Sequence, residues 1–120
     1  MPSDDGTGPE PRARISTHIL DTVTGDPAPD VPVRLDRRDT DGWRPVAEGR
    51  TDGDGRLAFR VPVHEWQAGG YRLFFSVAPY LGEDSFFPEI TVAFHVPDPD
   101  RRYHVPLLLS RYGYTTYRGS

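Results

Sequence analysis

The chain has 120 residues and no cysteine. A disulfide framework, a thiol nucleophile and a cysteine-built zinc site are therefore excluded. Lysine is absent as well, so all 14 basic side chains other than histidine are arginine, a bias that by itself points to no function. No apolar run approaches the ~20 residues that cross a bilayer, so no membrane partner is expected. The amino terminus has no basic stretch followed by an apolar one; a signal peptide is not expected, and the location expected by default is cytoplasmic. Gly-x-Ser-x-Gly is missing, which argues against a nucleophile elbow. His64-Glu65 has no second histidine at zinc-protease spacing, and Asp52-Gly53-Asp54-Gly55 lacks the acid spacing and closing glutamate of a calcium loop. Phosphate loops, dinucleotide fingerprints and internal repeats are not found. With a net charge of −4 and a pI near 5.5, there is no basic stripe for a nucleic-acid partner.

What is present is one domain's worth of chain, 36% hydrophobic and 12% aromatic, able to bury a modest core. Residues 1–13, MPSDDGTGPEPRA, are rich in Pro, Gly and acid and are expected to form a disordered tail; the folded domain is expected over 14–120. Short alternating segments follow. Residues 15–21 put Ser16, His18 and Leu20 on one face and Ile15, Thr17 and Ile19 on the other. Val31, Val33 and Leu35 point inward, with Pro32, Arg34 and Asp36 outward. Residues 37–42 are expected as a polar loop, 43–50 as a weaker strand, and 52–55 as a tight Asp-Gly turn with Arg56 at its exit. Residues 57–61 follow as a short strand, 71–77 give the strongest strand, and 78–82 have room for one short helix. Residues 90–96, 103–109 and 114–118 complete the set. Pro106 cannot donate to a ladder, so its strand is expected to be an edge or bulged there. About eight strands with frequent turns describe an all-β antiparallel β-sandwich.

Four ordered segments carry a resemblance: Ser16-Thr17-His18-Ile19-Leu20-Asp21, Thr51-Asp52-Gly53-Asp54-Gly55-Arg56, Ser85-Phe86-Phe87-Pro88-Glu89-Ile90, and the terminal YHVPLLLSRYGYTTYRGS from Tyr103 to Ser120. Together they resemble the 5-hydroxyisourate hydrolases, the transthyretin-related enzymes of urate breakdown, from about residue 14 to the end. Two positions depart from that family's usual pattern, Arg102 before the central tyrosine and Thr51-Asp52 in place of Thr-Asn; neither is a candidate site residue. The resemblance implies a transthyretin-like sandwich with one short helix after the fifth strand, and a homotetramer with active sites between paired dimers. It also implies one pocket containing His18, Arg56 and His104 with the terminal Tyr117-Arg118-Gly119-Ser120. Catalytic roles are expected for His18, Arg56, His104 and Ser120, and substrate contacts for His18, Arg56 and Tyr117. Neither metal nor cofactor is expected.

The residue types suit the implied chemistry. Water must lose a proton as it attacks a ring carbonyl, and a histidine with an ordinary pKa near 6.5 is matched to that task. Either His18 or His104 could serve. Arg56 can donate paired hydrogen bonds to an anionic, oxygen-rich ring. Tyr117 and Ser120 can position water or a small purine-derived substrate. Taken alone, a strand histidine is usually a surface or structural residue, and His64 and His95 are left as such. Arg56 after a turn would usually be a solvated arginine, Arg118 could pair with a carboxylate across subunits, and Ser120 could be only a last residue. The outer faces of residues 15–21 and 103–109 carry Leu20 beside His18 and Leu108 beside His104, so a second subunit is expected to cover them. Two rivals stand beside a hydrolase. One is a transthyretin-like binder of small aromatic ligands such as thyroid hormones, without catalysis. The other is an immunoglobulin-like adhesion or structural domain, which would normally be exported and fused to others.

Overall fold

Alternating apolar residues dictate two sheets that face each other across their buried sides. The computed structural model describes residues 12–83 and 85–120; the expected tail lies outside them up to residue 11. The strands run β1 (Arg12–Asp21), β2 (Pro32–Asp39), β3 (Gly42–Arg50), β4 (Arg56–Val61), β5 (Gly69–Ser76), β6 (Glu89–Val96), β7 (Tyr103–His104), β8 (Leu107–Leu109) and β9 (Tyr114–Thr116). One short helix, α1 (Ala78–Leu81), follows β5, where residues 78–82 were expected to form one. The first sheet has the order β4-β1-β8-β9, with β7 also paired to β1; the second has the order β3-β2-β5-β6.

The core lies between the sheets. Ile15 and Ile19 of β1, Val33 and Leu35 of β2, Tyr71, Leu73 and Phe75 of β5, and Leu107 and Leu109 of β8 are all buried. The alternation read from the sequence holds in these strands, and Ser16, His18 and Leu20 stand half-buried on the opposite face of β1.

Three local readings change. The loop expected at 37–42 is mostly strand: β2 continues to Asp39 and pairs with β3 down to Asp39 opposite Gly42. Polar residues on an exposed hairpin end give no apolar alternation to read. Asp36, expected outward, is 1% exposed, because Arg34 and Arg72 close over its carboxylate. The strand expected over 103–109 is split at Val105-Pro106 into β7 and β8, and β8 lies inside its sheet between β1 and β9. Both of these short strands run parallel to β1. Pro106 has no N–H, so the ladder is interrupted there. Two threonines satisfy the carbonyls the break leaves: Thr17 Oγ1 donates to Val105 O at 2.6 Å and Thr116 Oγ1 to Pro106 O at 2.7 Å. The two pieces keep one register on β1, so His104 and Leu108 stay on the same face. Among the described residues, no helix is long and apolar enough to cross a membrane.

Candidate active site on the outer face of the first sheet

The site is assembled around β1. On one side, β4 runs antiparallel to it and sets Arg56 directly opposite His18. Facing residues of such a pair have Cβ atoms roughly 5 Å apart. The turn before Arg56 fixes this register. Asp52 Oδ1 accepts the N–H groups of Asp54 at 2.9 Å and Arg56 at 3.0 Å. Gly55 has φ +74 and its carbonyl accepts the N–H of Ile19 at 2.8 Å. A Cβ at Gly55 would lie 2.5 Å from Ile19 O, so only glycine lets the turn dock this tightly against β1.

On the other side, β7 sets His104 opposite Ser16. Ser16 Oγ lies 2.9 Å from His104 Nδ1. The terminal segment closes over the ring: Gly119 N–H donates to His104 O at 2.7 Å, and a Cβ on Gly119 would come within 2.5 Å of His104 Cδ2. Ser120 follows directly.

The electrostatics tie these groups together. Burial pushes the His104 pKa below its ordinary value; the charges of His18 and Arg56 act in the same sense, against a hydrogen bond with the Ser16 backbone. Asp52 is held below the usual carboxylate range, first by the N–H groups of Arg56 and Asp54, then by the charges of Arg56 and His18. His18, Arg56, His104 and Asp52 thus share one electrostatic neighbourhood. Such an arrangement can hold a neutral imidazole beside a fixed cation, which is what deprotonating water and stabilising a developing oxyanion require.

The remaining expected residues fall elsewhere on the segment. Tyr117, 54% exposed, lines a cavity of about 330 Å³ with Val92 and Phe94 of β6 and with Tyr103 and Val105. The Arg118 guanidinium sits 5.3 Å from the centre of the Tyr103 ring, a cation–π arrangement. His64 and His95 are exposed. Sequence reasoning missed Ser16 and Asp52 as parts of the site, and it named Gly119 only within the terminal tetrapeptide. For Ser16 the signal was its place two residues before His18 on the same strand face. For Gly119 the terminal motif gave the place but not the reason, which lies in a ring 15 positions away. Among the described residues, no group of three or more His, Asp or Glu could hold a metal ion.

Two sheets in this strand order, a single short helix after the fifth strand and a polar cluster on the outer face define a transthyretin-like β-sandwich. The chain belongs to the HIUase/transthyretin family, whose model matches residues 15–119. It is 48% identical over 109 residues to a 5-hydroxyisourate hydrolase of Salmonella dublin, covering 88% of this chain and 80% of that protein. A 5-hydroxyisourate hydrolase of Caulobacter vibrioides is 42% identical over 113 residues, covering 88% and 97%. Among solved structures, sea bream transthyretin in complex with thyroxine superposes with a TM-score of 0.80 at 32% identity, covering 88% of this chain and 94% of that one.

Proposed function

We infer that the protein hydrolyses 5-hydroxyisourate, opening its six-membered ring to 2-oxo-4-hydroxy-4-carboxy-5-ureidoimidazoline in urate catabolism. The observation that carries this reading is the convergence of His18, Arg56 and His104 on one outer sheet face, with His104 held below its ordinary pKa. A neutral His104 accepts a proton from water as the water oxygen bonds to the ring carbonyl carbon. The carbonyl π electrons move onto oxygen, where Arg56 stabilises the charge. As the carbonyl re-forms, the carbon–nitrogen bond breaks and the leaving nitrogen takes a proton from the protonated imidazole or from His18. His18 and Arg56 also hold the planar substrate, with Ser120, next to Gly119 at the His104 ring, supplying a hydroxyl that orients it or the water.

The half-buried Leu20 and Leu108 stand opposite each other beside this cluster. A second copy covering that apolar strip would close the site against solvent, giving a homotetramer with active sites between paired dimers. Light scattering tests this; a stable monomer at micromolar concentration would exclude it.

The decisive experiment follows the ultraviolet decay of 5-hydroxyisourate, freshly generated by urate oxidase, with and without the protein. Acceleration over the spontaneous reaction, lost in His104→Asn, is the expected result; no acceleration by a folded oligomer would sink the reading. A transthyretin-like carrier of small aromatic ligands is favoured only by the overall superposition. Such a carrier has no use for two histidines and an arginine gathered on one outer sheet face.

A further inference from the structure

One residue grips the imidazole of His104 along its Nδ1 side. Ser16 stands opposite His104 across the β1–β7 pairing, with its Oγ 2.9 Å from Nδ1. Its carbonyl accepts the N–H of Val105 at 2.9 Å, which draws the Ser16 backbone against the root of the ring. When Nδ1–H donates to the Ser16 hydroxyl at this distance, Nε2 is the nitrogen left bare. The opposite edge of the ring is confined by Gly119, where any larger residue would bring a Cβ within 2.5 Å of Cδ2. Among the described residues, no hydrogen bond reaches Nε2.

We propose that Ser16 is a positioning residue that fixes the orientation and tautomer of His104, keeping the proton on Nδ1 and leaving Nε2 bare to take a proton from water. The catalytic consequence rests on the hydrolytic reading above; the pinning of the ring rests on geometry alone. A neutral imidazole has two tautomers, and only the one with a bare nitrogen aimed at the reacting water is a base. Around the ring stand His18 on β1, Arg56 at the head of β4 with Asp52 in the turn before it, and Gly119 and Ser120 of the terminal segment. Burial first, and then the neighbouring His18 and Arg56, disfavour a second proton on the ring, which leaves the tautomer to decide reactivity once the ring is neutral.

The test reads the tautomer directly. Two-bond proton–nitrogen correlation spectra of the full chain, labelled with nitrogen-15, distinguish the two nitrogens of each imidazole, and His104→Asn identifies the His104 signals. The wild-type protein is expected to show the Nδ1–H form above the ring's titration. In Ser16→Ala the ring should populate both tautomers. Its kcat should fall about tenfold with KM nearly unchanged, as expected when an acid/base group is misoriented rather than removed. The acid limb of its pH profile should move, and Ser16→Thr, which keeps the hydroxyl, should recover most of the rate. An Nε2–H ring in the wild-type protein would overturn the proposal without any variant. So would a Ser16→Ala protein with unchanged tautomer and unchanged kcat. Loss of the tautomer preference in Ser16→Ala, in a protein that never accelerates the decay of 5-hydroxyisourate, would sink the hydrolase reading and leave the pinning of His104 standing.

Discussion

The two outer sheet faces of this sandwich both carry cationic side chains, yet they use them in opposite ways. On the second sheet the buried carboxylate is answered by two arginines. The Asp36 carboxylate accepts from Arg34 Nε at 2.8 Å and Nη2 at 3.1 Å, and from Arg72 Nε at 2.8 Å. The same arginines stack on aromatic rings, Arg34 over Phe74 at 4.7 Å and Arg72 over Trp43 at 4.5 Å. On the first sheet His18, Arg56 and His104 gather with no ion pair to any of them among the described residues. Two groups of the same sign next to a titratable ring cost stability unless a ligand repays it. A saturated charge network marks a face that serves the fold, and an unsaturated one marks a face that serves a substrate.

That contrast breaks if substitutions on the two faces have similar consequences. The largest effect is expected from His104→Asn, which should lower turnover by about a hundredfold or more while leaving the unfolding midpoint near that of the wild type. A rate within a few-fold of normal would remove His104 from the mechanism. Asp36→Ala should do the reverse. It leaves two arginines facing a vacated site, and since both are partly solvated the cost should be about 2 kcal/mol, below the figure for a fully buried pair. Urea denaturation measures that loss, and kcat should stay within about twofold of normal, because Asp36 lies across the core from the site. Unchanged stability would mean that the Asp36 network is ornamental.

The same contrast explains what could be read from the sequence. The alternation in β1, β2 and β5 is a two-residue period set by the core, so it survives in the string of letters. The helix of α1 and the break at Pro106 follow from the chemistry of single residues. His18, Arg56 and His104 were legible through motifs, although they lie on strands far apart in sequence. The parallel pairing of β1 with β7 and β8 was not legible, because nothing local records a contact between positions 88 residues apart, such as Ser16 and His104. Asp36 looked like any outward strand carboxylate; its burial depends on Arg72, which arrives from β5. Gly119 was legible as part of the terminal motif, but not that the His104 ring leaves it no room for a side chain.

Gly119→Ala sharpens the comparison within the site face itself. A methyl group 2.5 Å from Cδ2 must displace either the ring or the terminal segment. Turnover is expected to fall about tenfold, with a smaller loss of stability than Asp36→Ala because the segment is exposed and can yield. Normal turnover would show that the terminal segment is free to move away without disturbing His104.

The smallest effect, and the one that separates the faces by pH alone, comes from their titratable groups. His104 binds its proton more weakly in the folded protein than its ordinary value of 6.5. The unfolded chain therefore holds more protons just below that pH, so the ring's contribution to stability is lost as pH falls through 6.5 toward the folded value. Activity should fall in the same interval, since the protonated ring cannot accept a proton from water. Asp36 is also depressed, below its ordinary 3.8, although burial opposes the hydrogen bonds from Arg34 and Arg72 that lower it. Its contribution is intact through the interval where His104 titrates and is lost only as pH falls below 3.8. Acidification should therefore stop turnover well before it unfolds the chain, a sequence that kcat/KM and circular dichroism recorded across the same pH series would display. Coincident loss of rate and structure would mean that the two faces are not separate, and that the site's charges help hold the sandwich together.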